Sequence, residues 1–273
     1  MKKTLLSVAG LDPSAGAGIL LDLQVFGLHG FHGAAVLTSA TAQNTRAVKK
    51  VLALPVSFLL DQYRALAADL PLAGIKVGML GSGRNVQAVS RILDLAGDIP
   101  RVIDPVFRSS SGFWLLGKKF IPEYLSAIKG KASLFTPNIS EAELILGLKI
   151  RDGEGMKAAA GCIYELVRIP CLVKGGHLAQ GREVADVLYD GHRQVVITHQ
   201  KIRKDVHGTG CFLSSTALAY LAQGWPLVRA CRRAVAQTMQ AIALSRPAGR
   251  GRPVISVFSG WTGGRRSPHR PAA

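Results

Sequence analysis

Short runs of apolar residues alternate along the chain with longer stretches in which apolar positions recur at helical spacing. The short runs predict six strands, at residues 4–9, 34–39, 74–77, 102–104, 134–136 and 171–173. The longer stretches predict helices at residues 17–28, 57–70, 84–95, 119–128, 140–146 and 156–167. This alternation is typical of a mainly parallel sheet with helices on both faces. The predicted fold class is therefore α/β, in three layers.

The last third of the chain departs from this alternation. Residues 184–189 and 194–198 are expected to form a β-hairpin, because Asp190-Gly191 between them suits the positive backbone angles of a tight turn. Helices at 210–222 and 226–244 then complete the domain. From residue 246 onward Pro, Gly and Arg dominate, so we expect one domain at 1–245 and a disordered or loosely ordered basic tail at 246–273.

Composition adds a strong positive charge to this picture. The chain has 34 Lys and Arg against 17 Asp and Glu, a net charge of +17, which raises nucleic acid and anionic membranes as partners. Only 6% of residues are aromatic, and no basic stretch is interleaved with aromatic residues, so platforms for base stacking have little support. We interpret the charge as a solubilising surface and expect no nucleic-acid partner.

The cysteines and the hydropathy of the chain indicate the cellular compartment in which the protein is expected. The four cysteines, Cys162, Cys171, Cys211 and Cys231, form no C-x-x-C pair and no zinc-like spacing, which fits a reducing cytoplasm. The apolar run after Met1 is short and soon meets Asp12, so we interpret it as a buried strand, not a signal peptide. The longest nearly apolar stretch, 208–224, falls short of the ~20 residues that a bilayer requires. We therefore expect a cytoplasmic protein without membrane spans.

The strongest local motif is His207-Gly208-Thr209-Gly210-Cys211, which opens a predicted helix. Glycines at a helix start leave backbone N–H groups free to bind an anion, although they also permit close packing alone. Cys211 would lie at the positive end of the helix dipole, which would lower its thiol pKa from ~8.5 by about one unit and make it a possible proton acceptor. The alternative is a small buried apolar residue.

A second glycine-rich segment, Gly10-Leu11-Asp12-Pro13-Ser14-Ala15-Gly16-Ala17-Gly18, follows the first predicted strand. It lies where ligands usually bind in an α/β sheet, at the carboxyl end of a strand. It is neither a P-loop nor a dinucleotide fingerprint, since it lacks the Gly-Lys-Ser/Thr ending of the one and the third glycine of the other.

Polar residues follow several other predicted strands and could converge on one edge of the sheet. These residues are Gln43, Asn44, Met79, Asp104, Asn138 and Lys174. Asp104 and Glu141 would supply carboxylates for Mg²⁺, Lys174 a cation for phosphate, and Gln43 an amide for the edge of a heterocycle. Singly each has a structural alternative, such as a capping box formed by Asn138 and Glu141. Together they favour phosphoryl transfer.

Seven motifs, taken in order, resemble the hydroxymethylpyrimidine and phosphomethylpyrimidine kinases of thiamine biosynthesis. They are Gly10-x-Asp12-Pro13-Ser14-x-Gly16-Ala17-Gly18, Thr41-Ala42-Gln43-Asn44-Thr45, Lys76-x-Gly78-Met79-Leu80, Asp104-Pro105-Val106, Thr136-Pro137-Asn138-x-x-Glu141-Ala142, Lys174-Gly175-Gly176-His177 and His207-Gly208-Thr209-Gly210-Cys211. The resemblance implies a ribokinase-like fold, a homodimer, and transfer of the ATP γ-phosphate to hydroxymethylpyrimidine and then to its monophosphate.

The same resemblance implies roles for individual residues. The pyrimidine would be held by Gln43, lined by Gly10, Met79 and Val106, and approached by Asp22. The anion hole would be Gly208, Thr209 and Gly210, with Cys211 as the base. Nucleotide contacts would come from Asn138, Lys174 and Arg232, and Mg²⁺ ligands from Asp104 and Glu141.

Some positions depart from the family pattern. Ser110 and Val235 stand where the family usually has lysines, and Ala15 where it has glycine. Losing one preorganised donor costs a rate factor on the order of a hundred, so we expect Arg108 or Arg232 to compensate, the latter from the helical face of Val235. Two alternatives stay open: a pyridoxal or pyridoxine kinase of the same fold, and a catalytically weak protein that binds the pyrimidine.

Overall fold

The structure, a computed structural model, describes residues 1–109, 111–176 and 183–257. Within these ranges its centre is one nine-stranded sheet with the strand order β3-β2-β1-β4-β5-β6-β7-β8-β9. The strands are β1 (Thr4–Leu11), β2 (His32–Gln43), β3 (Val48–Ala53), β4 (Leu72–Val77), β5 (Arg101–Ile103), β6 (Leu134–Phe135), β7 (Cys171–Val173), β8 (Glu183–Tyr189) and β9 (Gln194–Gln200). The six strands predicted from apolar runs are confirmed, and β3 is an addition.

Six neighbouring strands, from β2 to β7, run parallel, and antiparallel strands close both edges. The parallel strands are buried on both faces of the sheet. This explains why β1 is apolar almost without interruption and buried from Thr4 to Gly10. The predicted hairpin is confirmed as β8 and β9, and Gly191 in its turn has a φ of 98°. Asp190 keeps a negative φ and instead accepts backbone N–H bonds from His192 and Arg193.

The described residues form eight α-helices in two layers. They are α1 (Gly18–Leu28), α2 (Val56–Asp69), α3 (Asn85–Leu95), α4 (Ile121–Ile128), α5 (Ile139–Leu146), α6 (Gly153–Val167), α7 (Thr209–Ala222) and α8 (Leu227–Leu244). Helices α2 to α6 pack on one face of the sheet, and α1, α7 and α8 on the other. The predicted three-layer α/β fold is therefore confirmed. None of the described helices is long and apolar enough to cross a membrane.

The predicted boundary at residue 245 is wrong for the first part of the tail. Residues 246–257, here named the C-terminal strap, pack on the domain. Ile255 and Val257 are buried beside Phe212 of α7, and the backbone of the strap bonds to that of Thr45 and His207. The sequence missed this because a few apolar residues near the end of the strap, among prolines, glycines and arginines, gave too weak a signal. Residues 258–273 lie outside the described ranges, so the expectation for them stays a prediction.

Candidate active site

The carboxyl ends of the parallel strands carry the predicted site residues to one edge of the sheet. Asp104 directly follows β5, Lys174 directly follows β7, and Gln43 ends β2. Parallel strands place these ends side by side, and helix α7 begins at the same edge. The sequence motifs therefore meet although they lie far apart in the chain.

Lys174 and Asp104 form the charged centre of this edge. The Nζ atom of Lys174 lies 2.7 Å from Oδ1 of Asp104, and both side chains are largely buried. Burial alone would lower the pKa of Lys174, but the carboxylates of Asp104 and Glu141 raise it above its usual range. The lysine is therefore charged at neutral pH. Thr136 donates a further hydrogen bond, 3.0 Å long, to the same oxygen of Asp104.

The N-terminus of α7 lies against this ion pair. Gly208 precedes the helix at a φ of 89°, a left-handed conformation that suits glycine, and a side chain there would collide with the carbonyl oxygen of Gly16. A Cβ atom added at Gly210 would lie 3.2 Å from Nζ of Lys174 and 3.3 Å from Oδ2 of Asp104. Unpaired N–H groups of the first turn and a lysine ammonium thus share one small space, which favours an anion.

Contacts with the neighbouring strand β8 hold the loop that carries Lys174 in place. The backbone N–H of Gly175 donates to the buried carboxylate of Asp186 over 2.8 Å. A Cβ atom at Gly175 would lie 1.8 Å from the carbonyl oxygen of Ala185, so only glycine fits. His177, in the same motif, lies outside the described residues.

Glu141 and Asn138 form the capping box that the sequence indicated. Asn138 accepts a hydrogen bond from the N–H of Glu141, and Glu141 accepts one from the N–H of Asn138. Burial raises the pKa of Glu141 to about 8; Lys174 opposes this shift and the carboxylate of Asp104 adds to it. Asp104 and Glu141 thus offer carboxyl oxygens beside Lys174, a donor set that fits Mg²⁺ held partly by phosphate oxygens.

Cys211 follows Gly210 in the first turn of α7 and is half-buried. Burial raises the pKa of its thiol to about 11; the ammonium of Lys76 opposes the shift, and the carboxylates of Asp22 and Asp104 add to it. The expected lowering by the helix dipole is therefore wrong, because loss of hydration outweighs a dipole effect of about 1 kcal/mol. The thiol is protonated at neutral pH.

Asp22 of α1 forms a buried ion pair with Lys76 of β4. Its carboxylate is 2.9 Å from Nζ of Lys76, and both side chains are fully buried. Hydroxyls of Ser7 and Ser215 donate to the two carboxylate oxygens over 2.6 and 2.7 Å. The expected approach of Asp22 to the pyrimidine is therefore corrected, since the carboxylate is enclosed by these partners. Sequence reasoning missed the role of Lys76, although a lysine within an apolar strand was a usable signal.

The predicted pyrimidine residues lie at or just after the carboxyl ends of β1, β2, β4 and β5. A Cβ atom added at Gly10 would be 2.8 Å from Sδ of Met79, so these two residues are in contact. Gln43 is half-buried and lies beside His207, and Val106 is half-buried after Asp104-Pro105. An open cleft of about 500 Å³ adjoins Gln43, lined by Pro13, Ser14, Gln43, Asn44, Thr45, Arg46, Gly249 and Arg250. This cleft is separate from the charged centre at Lys174.

The two arginines expected to replace lysines differ in placement. Arg232 is exposed on α8, whereas Val235 is buried with Leu213 and Cys231 in an apolar cluster, so the expected common face is wrong. The guanidinium of Arg108 lies 3.7 Å above the ring of Trp114. Ser110 lies outside the described residues. The replacement of the lysines by Arg108 or Arg232 stays a prediction.

The sequence model of the phosphomethylpyrimidine kinase family matches residues 12–255. The chain belongs to this family. The predicted family and the class of small-molecule kinase are thereby confirmed, and the match runs beyond residue 245 into the C-terminal strap.

Individual proteins agree with the family. The hydroxymethylpyrimidine/phosphomethylpyrimidine kinase of Aquifex aeolicus is 36% identical over 251 residues, covering 92% of this chain and 98% of that protein. The bifunctional thiamine biosynthesis protein ThiED of Geobacter sulfurreducens is 39% identical over 260 residues. That match covers 94% of this chain and 52% of ThiED, so the chain spans about half of ThiED's length.

Among solved structures, the pyridoxal kinase from Staphylococcus aureus in complex with AMP-PCP and pyridoxal superposes with a TM-score of 0.85 at 27% identity. The match covers 95% of this chain and 94% of that one. The ribokinase-like fold is confirmed, and the use of ATP by the family is supported by the bound ATP analogue.

Proposed function

We propose that this chain transfers the γ-phosphate of ATP to 4-amino-5-hydroxymethyl-2-methylpyrimidine and to its monophosphate, in thiamine biosynthesis. The observation that carries the proposal is the meeting of Lys174, Asp104 and the first turn of α7 at Gly210, on the sheet edge where Gln43 also lies. Positioning and charge neutralisation do most of the work in phosphoryl transfer, and this arrangement offers both.

Each residue of the edge has a proposed task. N–H groups from Gly208 to Gly210 stabilise negative charge on the migrating phosphoryl group, and Lys174 neutralises it from the side. Cys211 accepts the proton of the substrate hydroxyl. Its resting thiol is protonated, so this step draws on the small thiolate fraction.

Magnesium is proposed to bind through Asp104 and Glu141. Two buried carboxylates suit an ion that keeps most of its ligands from water and phosphate oxygens. When bound, Mg²⁺ would neutralise charge on the phosphates of ATP. Asn138, at the start of α5, is proposed to contact the nucleotide, and a cytoplasmic location is proposed from the four free cysteines.

Parallel kinase assays test the proposal. Each contains the purified protein, ATP and Mg²⁺, and the substrate is hydroxymethylpyrimidine, its monophosphate or pyridoxal. We expect both pyrimidines to be phosphorylated with a higher kcat/KM than pyridoxal. The pyridoxal kinase alternative is favoured by the superposition on the Staphylococcus enzyme, and a preference for pyridoxal would establish it. Tight pyrimidine binding without turnover would establish the binding-protein alternative, which the apolar burial of Val235 favours.

A further inference from the structure

Gln43, His207 and Asp12 form a chain of side chains at the substrate end of the site. Nε2 of His207 lies 2.8 Å from Oδ2 of Asp12 and 3.2 Å from the amide nitrogen of Gln43. The imidazole and the carboxylate are nearly buried, at 13% and 5% exposure of their side chains. A single ring nitrogen therefore faces both the carboxylate and the amide, which restricts how protons can be arranged.

The Asp12 carboxylate decides the state of that nitrogen. Burial alone would raise the pKa of Asp12, but hydrogen bonds from His207 and Ser14 hold it below its usual value. An ionised carboxylate only accepts hydrogen bonds. Nε2 of His207 must therefore carry a proton towards Asp12, and it cannot also accept one from the nitrogen of Gln43.

The contacts of Thr41, at the opposite end of the amide, indicate the same orientation of Gln43. Its hydroxyl lies 3.0 Å from the carbonyl oxygen of Leu11 and 3.2 Å from Oε1 of Gln43. A hydroxyl has one proton, and the carbonyl of Leu11 can only accept. Towards Gln43 the hydroxyl of Thr41 is thus an acceptor, which requires a donor, the amide nitrogen, on that side.

We infer that His207 and Asp12 are a positioning pair that fixes the Gln43 amide with its oxygen towards His207 and its nitrogen towards Thr41. Exchanging the two ends of the amide removes a donor–donor contact at His207 and an acceptor–acceptor contact at Thr41. The amide oxygen then shares the Nε2 proton of His207 with Asp12, and the amide nitrogen donates to Thr41. The side of His207 is then occupied by the oxygen, and the side of Thr41 by one N–H. The remaining lone pair and N–H form a fixed acceptor-donor edge.

Such an edge distinguishes two classes of pyrimidine, and this step rests on the proposed function. A 4-aminopyrimidine offers a donor beside an acceptor, whereas a 4-oxopyrimidine offers an acceptor beside a donor. An amide locked in one orientation matches only one of these patterns, while an amide free to rotate can match either. His207 is therefore a specificity-determining residue that acts through Gln43.

The pair is itself held in place. Ser14 donates two hydrogen bonds, from its N–H and its hydroxyl, to the other oxygen of Asp12. The N–H of His207 donates to the carbonyl of Pro253 in the C-terminal strap over 2.9 Å. Gly16 packs so closely that an added Cβ atom would lie 2.6 Å from Cδ2 of the imidazole. The ring therefore has little room to turn.

The first test needs no substrate. Nitrogen and carbon chemical shifts of the His207 ring, assigned with His207→Gln, report its tautomer at a pH about 2 units above the ordinary histidine value of ~6.5. We expect the proton on Nε2. A neutral ring with its proton on Nδ1 would overturn the inference, whatever the enzyme phosphorylates.

The second test compares the aminopyrimidine substrate with its 4-oxo analogue, as alternative substrate or inhibitor. His207→Leu removes the donor and should reduce the discrimination between them by at least about tenfold, with KM for ATP little changed. His207→Gln, whose side-chain Nε2 can still donate a hydrogen bond, should retain most of the discrimination. His192→Gln, at an exposed histidine, serves as the control. Unchanged discrimination in His207→Leu would overturn the inference. If the wild type fails to use any pyrimidine, the proposed function fails, and the tautomer measurement still judges the pair.

Discussion

Nζ of Lys174 lies 2.7 Å from Oδ1 of Asp104, and both side chains adjoin Gly210 in the first turn of α7. The lysine is thus held by a carboxylate at the point where a helix N-terminus favours an anion. A phosphate bound there would contact one ammonium and several N–H groups, while Asp104 keeps the ammonium in place.

Replacing Lys174 with methionine should lower kcat by a factor on the order of 10²–10³, because the cation acts on charge that develops in the transition state. KM for the pyrimidine should change little, since Lys174 contacts Asp104, whereas Gln43 contacts His207 and Thr41. Steady-state kinetics measures both constants. Lys149→Met, at an exposed lysine paired with Glu143, is the matched control. A change confined to KM would contradict the catalytic role.

If Cys211 is the base, the reaction rate should depend on pH through the ionisation of its thiol. Its pKa is raised to about 11, so the thiolate fraction, and with it the rate, should rise with pH from neutrality to about pH 9, by up to tenfold per unit. Cys211→Asp supplies a base with a much lower intrinsic pKa than a thiol and should flatten the profile. Cys162→Ser, at an exposed cysteine, should keep the wild-type slope. A wild-type rate independent of pH, with chemistry rate-limiting, would argue against Cys211 as base.

Asp22→Asn should chiefly affect stability. It leaves the fully buried ammonium of Lys76 without a charged partner, which should lower the free energy of unfolding by about 3–5 kcal/mol. Denaturant unfolding measures the loss. The exposed pair of Arg64 and Asp61 offers a control, because Asp61→Asn should cost less than about 1 kcal/mol. A variant of wild-type stability with a raised pyrimidine KM would restore the substrate-binding role first expected of Asp22.

The C-terminal strap should matter for both stability and substrate binding. Truncation after Ser245 removes buried Ile255 and Val257, a loss of about 3 kcal/mol, and frees Thr45 and His207 from their backbone partners. We expect a lower unfolding midpoint and a raised pyrimidine KM. Truncation after Val257 keeps the strap and should leave turnover within a fewfold. Equal behaviour of the two truncated proteins would show that the strap is dispensable.

Ala15 occupies a glycine-like position, with a φ of 56°. Left-handed backbone costs a residue with Cβ roughly 1–2 kcal/mol, and glycine loses about 0.5–1 kcal/mol through chain entropy, so Ala15→Gly should stabilise by about 0.5 kcal/mol. Ala96→Gly, at a φ of −76°, should destabilise instead. Urea unfolding of the two variants distinguishes them, and a loss of stability in Ala15→Gly would contradict the backbone argument.

The sequence by itself determined the fold class and the family, and it predicted the polar residues that the structure brings to one edge of the sheet. Parallel strands are buried on both faces and therefore read as short apolar runs, and their carboxyl ends share an edge, so polar residues there could be expected to meet. The capping box of Asn138 and Glu141 was also predictable because its contacts are local. The motif order identified the family.

Only the tertiary structure decided what depends on distant neighbours. Edge strand β3 has exposed lysines, so its sequence lacks the apolar run by which the other strands were predicted. The C-terminal strap packs on the domain through a few contacts with Thr45, His207 and the core. The raised pKa of Cys211 and the burial of Asp22 arise from packing against groups far along the chain. Local patterns specify backbone conformation and hydrogen bonds between near neighbours, whereas desolvation and charge pairing exist only after the chain has folded.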